Sequence, residues 1–185
     1  MHGIAIVDPS RNAEVYAATA VKANDDVGVI EISGPVVFHD GDLLGNYYLV
    51  RSWFAPASPK ADDRFQIVAV AKFPKRVFLD QAYSSGRKLA TTVIDRERKC
   101  ISDCYVQEVI GIELSERDMV AYAARGIDFE ISGRRASVRM SIPASYFAAV
   151  LEKHRNIRAA PGRRPPVSAA SVPAGLSKTI AVGRL

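Results

Sequence analysis

Cys100 and Cys104 are the only cysteines in the chain, and they sit with three residues between them, flanked by two strand-like runs. That C-x3-C spacing puts both thiols at the tip of a β-hairpin, which constrains the fold more than any other feature. If the two cysteines oppose each other, Arg96 meets Glu108, Ile94 meets Ile110, Thr92 meets Ile112 and Ala90 meets Leu114. Every second residue from Cys104 to Leu114 reads Cys, Val, Glu, Ile, Ile, Leu, the period of a half-buried strand. Glu108 is the one carboxylate on that stripe, and a structural ion pair with Arg96 supplies the partner such a group needs. Directly opposed Cα atoms lie roughly 4.5 to 5.5 Å apart, within reach of a disulfide. A structural disulfide is the favoured reading, with two free buried thiols as the alternative. Metal or redox chemistry ranks last: a thioredoxin-like pair has two intervening residues, a structural zinc site wants four ligands, and His2, His39 and His154 are scattered along the chain.

A length of 185 residues, 48% of them hydrophobic, suffices for one globular core. The formal charge of +5 would suggest an anionic partner, but it is unevenly placed. Residues 155 to 185 carry Arg155, Arg158, Arg163, Arg164, Lys178 and Arg184 and no acid, which leaves 19 basic and 20 acidic side chains in residues 1 to 154. The expected organisation is a β-rich globular domain over 1–154 followed by a basic, Pro- and Ala-rich flexible tail over 155–185, a composition that buries too little apolar surface to order itself. Arg158, Arg163 and Arg164 are the candidate anion contacts of that tail, toward nucleic acid, anionic lipid or an acidic protein. The tail has no aromatic residue on which a base could stack, which counts against single-stranded nucleic acid.

Short strand patterns dominate the body. Val27 to Val37 contains Gly34-Pro35, a bend or edge signal; Tyr47 to Phe54 alternates; Phe65 to Phe73 resumes until Pro74; Val77 to Tyr83 leads to a Ser84-Ser85-Gly86 turn; and Leu89 to Arg98 opens the cysteine hairpin. Residues 10 to 23 mix alanines with Val15, Tyr16, Thr19 and Val21, and the β-prone set tips the reading toward strand. A helix over 115–125 is signalled by Ser115-Glu-Arg-Asp118, a capping-box spacing, and by Gly126 as its stop. A second, over 143–154, starts with Pro143 at N1 and carries Tyr146, Phe147, Val150 and Leu151 on one face. Between them, Gly133-Arg134 as a two-residue turn pairs Ile131 with Ala136, Phe129 with Val138, Ile127 with Met140 and Asp128 with Arg139. The fold class is thus α+β: a mainly antiparallel sheet of about 7 to 9 strands with these two helices on one side and a disordered C-terminal tail.

From Phe65 to His154 the arrangement resembles small uncharacterised proteobacterial envelope or lipoprotein-type proteins. The shared features are the turn at Tyr83-Ser-Ser-Gly86, Asp95-Arg96-Glu97 before a close cysteine pair, Glu108 after it, and Ile142-Pro143-Ala-Ser-Tyr146 after the helix and hairpin. The chain departs from that pattern in lacking a lipidation cysteine near its start. The resemblance covers about half the chain, implies a folded envelope domain and transfers no catalytic residues.

Catalytic equipment is hard to find. There is no Gly-rich phosphate loop, G-x-S-x-G elbow or H-E-x-x-H motif. His39-Asp40-Gly41-Asp42 could ligate a metal or supply acid and base, though Asp-Gly is more simply a turn. His154 between Lys153 and Arg155 reads as a solvated helix end, and Trp53 with Tyr47 and Tyr48 as sheet packing or a ligand groove. No apolar run approaches the roughly 18 residues of a membrane-spanning helix. Nothing calls for a cofactor, and no catalytic, cofactor-binding or metal residue is assigned. The expected role is a non-enzymatic binding or structural module of the bacterial envelope. An anion-binding adaptor working through the tail is the second reading, and an enzyme of unrecognised class the third. Placement is periplasmic or envelope if a leader precedes Met1, and cytoplasmic otherwise.

Overall fold

Alternation settles the faces of the strand Tyr47–Phe54: Tyr48, Val50, Ser52 and Phe54 are buried, while Tyr47, Leu49, Arg51 and Trp53 on the opposite face are half-buried. Around it the computed structural model describes residues 7–39, 45–100 and 104–160. In chain order these form α1 (Asn12–Ala18), β1 (Ala20–Asn24), β2 (Val29–Ser33), β3 (Val37–Phe38), β4 (Tyr47–Phe54) and, after a 3₁₀ turn at Lys60–Asp62, β5 (Arg64–Phe73). There follow β6 (Gln81–Ser84), β7 (Arg87–Leu89), β8 (Thr91–Cys100) and β9 (Cys104–Leu114). The described chain closes with α2 (Glu116–Arg125), β10 (Ile127–Ser132), β11 (Ser137–Ile142) and α3 (Ala144–Ala159). The architecture is mostly antiparallel sheet with three helices among the described residues, and no helix among them is long and apolar enough to cross a membrane.

The strands form two sheets. The larger runs β1-β2-β4-β5-β9-β8, with β3 also on β4; the smaller runs β11-β10-β6-β7. One face of the larger sheet, the smaller sheet and the helices enclose a shared core that includes Phe65, Ile67, Ile110, Ile112, Phe129 and Phe147. Each such side chain contributes about 1.5–3 kcal/mol on burial. Gly34 and Pro35 interrupt what would be one strand along β4. A Cβ at Gly34 would overlap the Tyr146 hydroxyl, which donates to the Pro35 carbonyl at 2.6 Å.

Several expectations change. The strand count expected, 7 to 9, becomes eleven among the described residues because β3 and β7 are only two and three residues long. Residues 12–18 are helical rather than extended. Packing against α3 and burial of Val15 override the β-prone composition, and Thr19 stops the helix by donating its hydroxyl to the Val15 carbonyl at 2.7 Å. Pro143 stands at the N-cap of α3 rather than N1. That helix continues to Ala159, so the domain does not end at 154, and Arg155 and Arg158 belong to the fold.

The cysteine hairpin keeps its expected register near the tip and shifts beyond a bulge, and the β10–β11 hairpin shifts throughout. Cys100 faces Cys104, with Cα atoms 4.1 Å apart and a disulfide between them, and Arg96 faces Glu108. A bulge between Val93 and Asp95 then moves the pairing by one, so Val93 rather than Ile94 meets Ile110, and Thr91 rather than Thr92 meets Ile112. The bulge lets Ile94 join Val68, Val70 and Val109 on the opposite face of the sheet. In the β10–β11 hairpin, Ile131 meets Val138, Phe129 meets Met140 and Ile127 meets Ile142. The tip is therefore Arg134-Arg135, one residue later than expected. Gly133 serves close approach instead of turn geometry: a Cβ there would strike the backbone of Val77 and Phe78. Ser85 and Gly86 do adopt positive φ, 48° and 76°, as a two-residue hairpin turn between β6 and β7 requires.

Candidate functional site

Three clusters of polar chemistry stand out. The first surrounds Glu108, whose side chain is 1% exposed. Its Oε1 accepts the backbone N–H of Val77 at 2.8 Å and of Phe78 at 3.0 Å, and its Oε2 accepts that of Leu79 at 2.6 Å. Successive amides can converge on one carboxylate because Phe78 has φ of 61°, the left-handed region, at a cost of about 1–3 kcal/mol. The expected Arg96 pair is present: Nε lies 3.4 Å from Oε2, an ion pair without hydrogen-bond geometry, while Nη2 donates to the Leu79 carbonyl at 2.6 Å. Arg96 and Arg134 also flank the Phe78 ring, at 5.6 and 5.3 Å from its centroid. Burial alone would push the Glu108 carboxyl up, but the three amides and Arg96 outweigh it and hold the group below the ordinary glutamate value.

The second cluster corrects the reading of His154. It is not a solvated helix end: it is 3% exposed, with Nδ1 2.9 Å from the Ser52 hydroxyl and Nε2 3.0 Å from Asp63 Oδ2. Burial lowers its pKa despite the nearby Asp63 carboxylate, so the ring is neutral, accepting from Ser52 and donating to Asp63. Arg158 supplies the cation that Asp63 needs, with Nη2 3.2 Å from Oδ1 in an ion pair 8% and 7% exposed. The same guanidinium donates to the carbonyls of Ala55, at 2.7 Å, and Ser58, and covers the Phe54 ring. Arg158 is therefore committed to the fold and is not an anion contact of a tail. Serine, histidine and aspartate here form a chain of contacts, but Ser52 is wholly buried, which closes it to a substrate.

The third cluster faces solvent. A cleft of about 530 Å³ opens on the outer face of the smaller sheet, lined by His39, Tyr83, Ser85, Asp128, Glu130 and Arg139 among others. A depression of about 300 Å³ joins it at Ser85, Asp128 and Ser141 and runs to Arg125. The register builds this surface: Tyr83, Glu130 and Arg139 form one row across β6, β10 and β11, and Asp128 and Ser141 pair in the next. Arg139 Nε donates to Glu130 Oε2 at 2.9 Å. The expected partner of Asp128 is Arg139; the two-residue shift of register gives that arginine to Glu130, and the Asp128 carboxylate has no side-chain partner among the described residues.

Of the remaining candidates, His39 lines the cleft and its backbone N–H donates to the Asn46 carbonyl at 2.8 Å. Asp40, Asp42, Arg163 and Arg164 lie outside the described residues. Among the described residues no group of three or more His, Cys, Asp or Glu side chains could hold a metal ion. Trp53 and Tyr47 share a face, over which Arg51 and Lys72 lie at 5.2 and 6.0 Å from the respective rings, whereas Tyr48 points into the core against Tyr146. The three aromatics therefore line no common groove. Comparison of the chain with protein-family models, curated proteins and solved structures finds no match in any of the three.

Proposed function

We propose that this chain is a non-enzymatic binding module of the bacterial cell envelope, and that it binds through the cleft on the outer face of the smaller sheet. One observation carries the reading. Glu108 and the Ser52–His154–Asp63–Arg158 chain are engaged by the fold, while the Asp128 carboxylate and the Ser85 and Ser141 hydroxyls line the cleft without a side-chain hydrogen bond or ion pair among the described residues. A cleft of about 530 Å³ is also within the range of ligand sites. The disulfide between exposed cysteines supports an oxidising compartment, as does the resemblance to envelope proteins.

The test is ¹H–¹⁵N NMR of the labelled protein against a mixed library of peptides, sugars and metabolites. Saturable shifts confined to residues 83–86, 128–130 and 139–141, without conversion of the ligand, are expected. Turnover of a ligand overturns the non-enzymatic reading. Salt-sensitive shifts confined to 161–185 favour the adaptor working through Arg163 and Arg164, a reading weakened by the loss of Arg158 to the Asp63 pair.

A further inference from the structure

The chemistry of the cleft narrows its ligand. Its rows cross β10, β11 and β6 with the turn that follows it, an area of about 10 Å by 7 Å, the footprint of a disaccharide. Each row alternates kinds of group. Tyr83, Glu130 and Arg139 give an aromatic face, a carboxylate and a guanidinium; Ser85, Asp128 and Ser141 give two hydroxyls around a carboxylate. The Tyr83 hydroxyl donates to Gln81, which restrains a ring that lines the cleft. Arg139 uses only Nε on Glu130, so its Nη donors remain.

Charge decides between ligand classes. Among the described residues, Asp128 and Glu130 are matched in number by Arg139 and Arg125 across the two joined depressions, while Lys88 continues the Tyr83 row on β7 beyond the lining. A phosphate or sulfate here would face the Asp128 and Glu130 carboxylates, and an ammonium would face Arg139 and Arg125. An uncharged ligand rich in hydroxyls meets neither penalty. Its O–H groups donate to Asp128, its oxygens accept from Arg139, Ser85 and Ser141, and its C–H face lies on Tyr83.

From these features we infer that the cleft takes a neutral saccharide, with Asp128 as its principal hydroxyl acceptor; this rests on the reading of the cleft as a binding site. The experiment titrates the labelled full chain with chitotetraose, maltohexaose and cellohexaose at millimolar concentration, beside glucose 6-phosphate and spermidine. At least one neutral oligosaccharide should shift the amides of Ser85, Asp128, Glu130 and Ser141 saturably. Asp128→Asn and Ser141→Ala, both at exposed positions, should keep the wild-type melting temperature, and Asp128→Asn should weaken binding at least about tenfold. If only glucose 6-phosphate or spermidine moves those amides, or a peptide from the mixed library does, the saccharide inference falls and the binding cleft stands. If none of the sugars, ions or library members moves them, both fall.

Discussion

Glu108 and His154 occupy two buried polar clusters that solve one problem in opposite ways. At Glu108 the fold keeps a charge and spends three backbone amides and an arginine on it. At His154 it keeps a titratable ring neutral and puts the ion pair one step away, on Asp63 and Arg158. A buried charge is tolerated where donors converge, and a buried imidazole where its neutral tautomer is satisfied at both nitrogens. Different failures should follow from disturbing each.

The largest effect is expected at Glu108. Glu108→Ala leaves three amides and Arg96 without their acceptor and should cost about 3–5 kcal/mol in urea unfolding; a loss below about 1 kcal/mol, that of an ordinary surface change, would show that the amides are satisfied without it. Next comes Arg158→Ala, which strands the Asp63 carboxylate and should cost about 2–3 kcal/mol. Arg163→Ala and Arg164→Ala should leave the midpoint unchanged, and equal effects at all three arginines would remove the distinction drawn between helix α3 and the chain beyond it. A smaller term is the coupling of Arg96 to Glu108. A double-mutant cycle with Arg96→Ala should return about 1 kcal/mol, because the amides carry most of the load and the arginine is partly exposed.

The smallest effect is a pH slope, and it separates the clusters by window. His154 has a folded pKa below 6.5, so its contribution is complete above pH 6.5 and lost as pH falls from there to the folded value. Glu108 is also depressed, from 4.5; its contribution is complete above pH 4.5 and lost as pH falls through its folded value. Urea midpoints measured from pH 7 to pH 3 should show both steps. His154→Gln should erase only the upper one and Glu108→Gln only the lower. A slope above pH 5 that persists in His154→Gln would assign it elsewhere.

How much of this was legible in the chain depends on the range of each interaction. The Arg96–Glu108 pairing follows from two local strands and a cysteine pair, and the α2 capping box from four consecutive residues. The amides that cage Glu108 come from 29 to 31 residues away and require a positive φ at a phenylalanine, which no pattern announces. In the β10–β11 hairpin a slip of two residues leaves every side chain on its face, so apolar matching cannot detect it. His154 is different, since a signal was present. It continues the Phe147, Val150, Leu151 stripe at helical spacing, and Arg158 follows it by four. The charged neighbours Lys153 and Arg155 belong to the other face of the helix and mask that periodicity in the linear sequence.

The segment Val77–Leu79 has a consequence for how the molecule comes apart. On one side its amides hold Glu108 of the larger sheet; on the other the Val77 carbonyl accepts the Arg134 N–H at 2.8 Å, from the hairpin tip of the smaller one. Neither sheet alone satisfies it, and the conformational cost at Phe78 is recovered only when both are in place. Loosening one sheet therefore withdraws partners from the other, so the two should melt in a single cooperative transition, which coincident urea curves by near- and far-ultraviolet circular dichroism would show.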